Sequence, residues 1–257
     1  MHGEQSSPQK GEGSLSGVFS HDYNAFPFLV FSASHIAMIV LFAAAAALLF
    51  IFRKGLFRLD QKFRLYLFML LFTLELLYHL WLYLGGYWEI SFTLPLQLCS
   101  ISLVLCLILL ATKSSAVFQL VYYLGVTGAL MAILTPELFL GFPHFRYFQF
   151  FITHNLIIWT SLYFVFVHQY RPTGKGMLHS FIFLNICAGA AFFANKLTGG
   201  NYMFLSHKPE NASLLDYFGP YPYYILTLEI AAVFLFLLLL LPFKMIGKNK
   251  AGKAESA

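Results

Sequence analysis

Apolar residues fill seven long runs of this chain, each about the length that a helix needs to cross a lipid bilayer. A helix rises 1.5 Å per residue, so about 20 apolar residues cover the roughly 30 Å of hydrocarbon. Such runs must be helical because lipid offers the backbone no hydrogen-bond partners. The predicted spans are Phe28–Phe52, Phe63–Leu84, Leu94–Ala111, Ala116–Pro136, Tyr147–His168, Met177–Lys196 and Tyr221–Pro242.

The polar stretches at the two ends of this pattern divide the chain into three parts. Residues 1–27 are predicted to form a short polar extracytoplasmic tail, residues 28–243 an all-α seven-helix membrane domain, and residues 244–257 a basic cytoplasmic tail. The composition agrees, because 59% of the residues are hydrophobic and only 11% are charged. A soluble protein carries about 25% charged residues. The chain has too few charges to cover the surface of a water-soluble fold of this size.

The Lys and Arg residues are distributed unevenly between the two sides that seven spans define. Twelve fall in the first, third and fifth connections and the C-terminal tail, and four fall on the other side. Cytoplasmic loops are enriched in Lys and Arg. The pattern therefore predicts an N-terminus outside, a C-terminus in the cytoplasm and a multi-pass protein of the cell membrane. The net charge of +5 reflects this orientation, and no nucleic-acid partner is expected.

Most polar side chains within the predicted spans share one depth, the outer half of the bilayer. Polar groups inside a membrane are costly and commonly mark a functional site. Their common depth predicts a water-accessible or lipid-accessible cavity that opens toward the outside. The candidate site residues at this depth are Glu75, His79, Gln97, Cys99, His154 and Asn155.

Cys99 and His154 are the candidate catalytic residues. A thiol attacks an acyl group when a nearby base accepts its proton, and His154 is expected at a depth matching that of Cys99. At about 100° per residue, Cys99 shares one helix face with Ser102 and Cys106. Gln97 lies nearly opposite, so a regular helix cannot aim both Gln97 and Cys99 into one narrow cavity. Cys106 lacks a comparable polar setting, and we interpret it as a packing residue.

Four further side chains have predicted supporting roles. Glu75 and His79 are four residues apart and therefore stack on one helix face. Together they could support the site or supply an alternative base, or they could be a buried pair that locks two helices together. Gln97 and Asn155 are candidate donors to an oxyanion.

The loop before the last span has the composition of a substrate-binding loop. It contains two adjacent glycines and several polar and aromatic residues, and loops on rigid scaffolds often carry function. Asn201, Tyr202 and Lys208 are predicted to cover the cavity and touch a polar headgroup. The alternative is an ordinary interfacial loop.

Several segments taken together resemble a known family. The combination resembles the YwaF family of bacterial membrane proteins, which is similar to the eukaryotic transmembrane protein 164 family. The resemblance implies a bacterial plasma membrane and cysteine-dependent acyl transfer between phospholipids. The segments are Leu94–Ser100, Phe151–His154, Asn201–Leu205, Lys208-Pro209, Ser213–Asp216 and Gly219–Pro222.

The resemblance assigns the site residues incompletely. The nucleophile of the eukaryotic family lies in a Pro-Cys-His setting, whereas the matching positions here are Pro95, Leu96 and Gln97. Cys99 lies three residues beyond Leu96, on another helix face, so the chain either uses Cys99 in a shifted site or has lost this chemistry. The histidine of the fifth span carries over onto His154.

The sequence therefore predicts a lipid-active acyltransferase or acyl hydrolase without a cofactor, whose partners are membrane lipids and whose possible substrate is phospholipid. The alternative is a non-catalytic transporter or ligand-binding protein that uses the same cavity. A third interpretation is haem held by His79 and His154, and no ligand spacing favours zinc or another metal. A rhodopsin is excluded because the last span contains no lysine for a Schiff base.

Overall fold

The computed structural model describes residues 16–209 and 214–254, and within that part the regular elements are all helical. The prediction of an all-α fold is confirmed. The main helices are α1 (Ala33–Ile51), α2 (Arg53–Arg58), α3 (Asp60–Leu84), α4 (Leu98–Thr112), α5 (Ser115–Leu120), α6 (Val126–Leu134), α7 (Phe145–Phe166), α8 (Gly174–Thr198) and α9 (Tyr223–Ala254).

Six helical segments of the described chain are long and apolar enough to cross a membrane. They are α1, α3, α5 joined to α6 through a π-helical turn, α7, α8 and most of α9. The predicted third span corresponds to α4, which is apolar but has only 15 residues. At 1.5 Å per residue this helix covers about 23 Å, less than the roughly 30 Å of a hydrocarbon core.

Capping side chains explain where several helices begin. The Ser32 hydroxyl accepts a hydrogen bond from the His35 backbone N–H, so α1 starts after Ser32 and not at Phe28 as the apolar pattern predicted. Thr173 caps α8 in the same way. His144 caps α7 through its ring, whose Nδ1 accepts the first orphan N–H of the helix.

α7 is the central helix of the bundle. Fifteen of its 22 residues are buried, and it packs against α1, α3, α4 and α6. In contrast, α1, α8 and α9 expose most of their apolar surface. In lipid such surfaces need no protein cover, because association of membrane helices depends on packing and hydrogen bonds and not on hiding apolar groups. The buried polar side chains of α7 are therefore candidates for a functional site.

The described residues before α1 lie across one end of the bundle, which we call the covered end. Residues 26–28 pair with residues 139–141 through two backbone hydrogen bonds of 2.6 and 2.9 Å. The indole of Trp81, near the end of α3, donates to the Phe19 carbonyl at 2.8 Å. These contacts fix residues 16–31, the N-terminal segment, against the loop that precedes α7.

The opposite end of the bundle is joined by the Asp60 carboxylate. Its oxygens accept hydrogen bonds from Tyr163 and His168 at 2.7 Å each, from Lys113 at 2.8 Å and from Arg64 at 3.1 Å. These partners belong to α3, to the turn after α4 and to the end of α7. One acidic side chain thus ties together three parts of the bundle, and hydrogen bonds to a charged acceptor are the stronger kind.

Candidate functional site

Cys99 lies in the first turn of α4 at the covered end. The residue is half-buried, and its sulfur faces α6 at Gly128. A Cβ added at Gly128 would lie 4.0 Å from the Cys99 Sγ and only 3.1 Å from a methyl of Leu98. Glycine at this position therefore leaves room for the Leu98 side chain, whereas the thiol is only in ordinary van der Waals contact range.

Gln97 is not part of α4, in contrast to the prediction that the third span runs from Leu94. The helix begins at Leu98, because the preceding backbone is held outside it by a hydrogen bond from Leu94 N–H to the Tyr202 hydroxyl at 2.9 Å. The Gln97 side-chain oxygen accepts from the Met203 N–H at 2.9 Å. Gln97 and Cys99 do not belong to one regular helix, so the prediction that they point to opposite helix faces is wrong.

His154 lies on the buried side of α7, two turns from its start. Its Nδ1 is 2.7 Å from the Phe150 carbonyl oxygen. A carbonyl only accepts, so Nδ1 carries the proton and Nε2 has the free lone pair. Within the described residues Nε2 forms no hydrogen bond. This is the tautomer that a general base needs.

Arg146 lies near His154 at the start of α7. Its guanidinium lies 4.3 Å from the centre of the Tyr78 ring and is hydrogen-bonded to the Gln149 side chain. It is also 5.4 Å from the Phe150 ring centre, and the Phe150 ring packs against His154 with ring centres 4.2 Å apart. Sequence reasoning treated Arg146 only as a loop cation. Its position eight residues before His154, near the same helix face, was the signal that could have identified it.

Glu75 and His79 form the predicted pair on α3. The His79 Nε2 is 3.4 Å from a Glu75 oxygen, and the Trp88 indole donates to His79 Nδ1 at 3.3 Å. The indole is only a donor, so Nδ1 accepts and Nε2–H points at the carboxylate. Both ring nitrogens are therefore engaged. No contact joins this pair to Cys99 or His154 in the part of the chain that the structure describes.

Asn155 is buried beside His154, and its side-chain oxygen has no hydrogen-bond partner among the described residues. Three hydroxyls, one each from α4, α6 and α7, share this condition. Buried polar atoms in folded proteins nearly always form a hydrogen bond, so an unpaired one is a candidate contact for a bound molecule. The hydroxyls are those of Ser102, Thr127 and Thr160.

Tyr202 is fully buried and holds the loop after α8 in place. Its hydroxyl donates to the Ile90 carbonyl at 2.6 Å and accepts from Leu94. Its backbone exchanges two hydrogen bonds, of 2.6 and 3.0 Å, with the Asn195 side chain. Burial raises the pKa of the Tyr202 phenol, and the Leu94 N–H partly opposes this. The side chain therefore stays neutral, and its contacts organise the loop.

Asn201 also organises this loop. Its side-chain oxygen accepts from the N–H groups of Ser206 and His207 at 3.0 and 3.2 Å. Lys208 differs, because its half-exposed ammonium makes one long hydrogen bond of 3.3 Å to the Asp216 carbonyl and lies 5.8 Å from the Tyr224 ring centre. Of the three predicted substrate-binding residues, Lys208 has the most donor capacity left for a ligand.

No group of three or more His, Cys, Asp or Glu residues in the described chain is arranged to hold a metal ion. The haem interpretation also finds no geometric support, since the His79 nitrogens are engaged by Glu75 and Trp88.

The fold and its buried polar groups define a multi-pass integral membrane protein. A family model described as the TMEM164 family matches residues 30–240, from just before α1 into α9. The chain therefore belongs to the TMEM164 family.

A bacterial protein is similar to part of this chain. An uncharacterized protein of Treponema pallidum (strain Nichols) is 27% identical over 151 residues, which cover 59% of this chain and 62% of that protein. The chain thus matches less than two thirds of the relative's length. No solved structure matches the chain.

Proposed function

We propose that the chain is a membrane-embedded acyltransferase or acyl hydrolase that acts on phospholipid, with Cys99 as nucleophile and His154 as base. The observation that carries the proposal is that Cys99 lies in the first turn of α4 and His154 on the buried side of α7 with its proton on Nδ1, in two helices that pack against each other. A thiol and a base with a free lone pair are the groups that cysteine-dependent acyl transfer requires.

The chemistry consists of two transfers. In the first, the Cys99 sulfur attacks the ester carbonyl carbon while its proton passes to His154 Nε2. The ester C–O bond breaks, the leaving oxygen takes that proton, and a lysophospholipid departs from a Cys99 thioester. In the second, a lipid hydroxyl or water gives its proton to His154 and attacks the thioester. The acyl chain is transferred or released, and the proton returns to the sulfur.

Arg146 and Gln97 supply the charge stabilisation. A nearby cation favours the reactive thiolate of a cysteine, and Arg146, in the first turn of α7, is the candidate cation at the covered end. The Gln97 oxygen is taken by Met203, which leaves its amide N–H groups to donate to an oxyanion. Asn155 supplies a further amide beside His154, and Lys208 is the candidate contact for the lipid phosphate.

We also propose that α4 crosses the membrane despite its length, which gives seven spans with the N-terminus outside and the C-terminus in the cytoplasm. The uneven division of Lys and Arg supports this orientation. With this orientation the covered end, which includes Cys99 and His154, would lie in the outer half of the membrane. The segments between Leu94 and Pro222 that resemble the YwaF family support a bacterial protein of that kind and a plasma membrane.

A non-catalytic transporter or ligand-binding protein is the second candidate. The buried and unpaired oxygens of Asn155 and Thr127 favour it, because such acceptors could receive hydrogen bonds from a bound polar solute.

The purified full chain should transfer or release acyl chains in mixed micelles of phosphatidylcholine and lysophospholipid. Replacing Cys99 with alanine should lower the rate by at least about 100-fold, the scale of losing a nucleophile or its base. Cys106→Ala is the matched control, since this buried thiol lies on the same face of α4, and it should keep the activity. Acyl transfer is measured by mass spectrometry of the lipids.

Two outcomes would contradict the proposal. Full activity of Cys99→Ala would show that this thiol is not the nucleophile. Saturable lipid binding without turnover, and without labelling of Cys99 by an acyl-mimicking electrophile, would favour the non-catalytic candidate.

A further inference from the structure

The end of the bundle opposite the covered end contains a basic cleft of about 410 Å³ between α2 and the C-terminal end of α7. All its cations come from the short helix α2, and aromatic residues of α2 and α7 form its apolar lining. The cleft is lined by Arg53, Lys54, Arg58, Phe57, Phe166 and Gln169, among others.

The cations of this cleft have no acidic partner in the part of the chain that the structure describes. None of the three cations forms an ion pair within the described residues. Asp60 follows α2 directly, but its carboxylate is already occupied by Arg64, Lys113, Tyr163 and His168. Several close cations without a partner attract an anion.

One of these cations is held in a fixed position. The Arg53 guanidinium lies 4.2 Å from the centre of the Phe50 ring and donates to the Phe50 carbonyl at 2.7 Å. Phe50 in turn packs edge-on against Phe166 of the cleft, with ring centres 5.2 Å apart. A guanidinium that is already oriented loses less entropy when it binds, and its planar fork matches a phosphate.

The surroundings of the cleft are apolar and open. Ile51, Phe52 and Phe57 are each at least 60% exposed, although they are large hydrophobic residues. They lie where α1 ends, so they mark the boundary between hydrocarbon and headgroups. Lipid acyl chains can cover these side chains while a headgroup reaches the cations.

We propose that the basic cleft binds the headgroup phosphate of an anionic phospholipid, in a site separate from Cys99 and independent of the proposed acyl transfer. Membrane orientation alone accounts for the number of cations at this end, but not for their convergence on one cleft. Lys62 and Lys175 are exposed at the same end and do not line it. Basic pockets between membrane helices are known to accept anionic headgroups.

The test uses the full chain in nanodiscs of phosphatidylcholine with increasing phosphatidylglycerol, and native mass spectrometry counts the retained lipid. The wild type should retain phosphatidylglycerol in preference to phosphatidylcholine. The variant Arg53→Gln/Arg58→Gln should bind it about 25-fold more weakly, at about fivefold for each cation near the surface. Arg58→Gln alone, at an exposed position, should show about fivefold weaker binding.

Charge-matched variants separate the cleft from general surface charge. Lys62→Gln/Lys175→Gln removes the same net charge from the same end and should change the affinity by less than about twofold, since neither side chain lines the cleft and salt screens exposed charges. Arg53→Lys/Arg58→Lys keeps the charge but not the guanidinium fork, so its affinity should lie between those of the wild type and of the Gln pair. Cys99→Ala should bind like the wild type, which keeps this result distinct from the acyl-transfer test.

Three outcomes would overturn the proposal. An equal loss in the Lys62/Lys175 variant would show a diffuse charge effect. Displacement of the lipid by inorganic phosphate at a matched concentration would indicate a site for a soluble anion. Equal retention of phosphatidylcholine would show that the negative headgroup is not recognised.

Discussion

At the scale of single residues, His21 is held in a setting that disfavours its charged form. Its ring stacks between Trp81 and Tyr87, with ring centres 4.0 and 4.3 Å away. Burial, followed by the nearby charge of His144, lowers the pKa of His21 from 6.5 to about 4. The pKa of His144 is lowered too, mainly by burial, although its hydrogen bond to the Ser20 carbonyl opposes this. His21 and His144 are therefore neutral when the N-terminal segment is docked.

This setting predicts how the docking of the N-terminal segment depends on pH. A released His21 binds a proton below about pH 6.5, whereas the docked one does so only below about 4. Docking is therefore fully stable above pH 6.5 and weakens as the pH falls from 6.5 toward 4. Hydrogen exchange of residues 16–31, corrected for the intrinsic pH effect, should speed up between pH 7 and pH 5.

Two variants check the origin of this effect. His21→Phe keeps the aromatic stack and removes the titrating group, so its exchange should depend much less on pH. His179→Phe, at an exposed position of α8, should behave like the wild type. An unchanged pH dependence in His21→Phe would assign the effect to another group.

The residue scale also shows what the sequence could not reveal about the site. Cys99 and His154 were chosen from their residue types, their depth and the family resemblance, and their roles stay predictions. Arg146 was missed because a single cation near the end of a span is equally typical of an orientation signal. Its position depends on Tyr78 and Gln149, which contact its guanidinium.

At the scale of elements, the N-terminal segment and the loop before α7 depend on a close backbone approach. A Cβ added at Gly141 would lie 2.8 Å from the Pro27 carbonyl oxygen, closer than real Cβ atoms come to another atom. Gly141→Ala should therefore disturb the pairing of residues 26–28 with residues 139–141. The expected cost is about 1–3 kcal/mol, as for overpacking elsewhere. Faster proteolysis within residues 16–31 and a lower melting temperature would measure it.

Gly189→Ala is the matched control for this substitution. A Cβ at Gly189, in the middle of α8, would meet no other atom within 4 Å, and alanine is the better helix former. Its stability should stay the same or rise slightly. Equal melting temperatures for Gly141→Ala and the wild type would show that the backbone contact is loose in the protein.

Helix positions were predicted within a few residues, but helix ends were not. The first predicted span began at Phe28, whereas α1 begins after the Ser32 cap. The third began at Leu94, whereas contacts with Tyr202 keep that backbone outside α4. Apolar run length cannot locate such ends, because a cap or a loop contact depends on particular hydrogen bonds.

At the scale of the whole molecule, the number of spans depends on whether α4 crosses the membrane. If it does, the residues after the first and the fifth spans lie on one side. If it does not, every segment after α4 changes sides. Lys62 precedes α4 and Lys175 follows it. The two residues therefore lie on the same side of the membrane if α4 crosses it, and on opposite sides if α4 does not.

Single cysteines at Lys62 and Lys175, in a chain without its native thiols, should both resist a membrane-impermeant thiol reagent in intact cells. A cysteine at Lys196, near the end of α8, should react. All three should react after the membrane is permeabilised, which controls for accessibility. Reaction at Lys175 but not at Lys62 would mean that the chain has six spans, and it would contradict the packing in which Lys113 after α4 and Tyr170 before α8 meet at the Asp60 end of the bundle.

The sequence by itself determined that this chain is an all-helical, multi-pass membrane protein, because the cost of placing a backbone and its side chains in lipid depends on local composition and run length. Only the tertiary structure decided which side chains meet. Helices that are apolar around most of their circumference carry little signal for their rotation. The joining of Asp60 to Tyr163 and His168, and of Arg146 to Tyr78, therefore follows from how α3 and α7 pack.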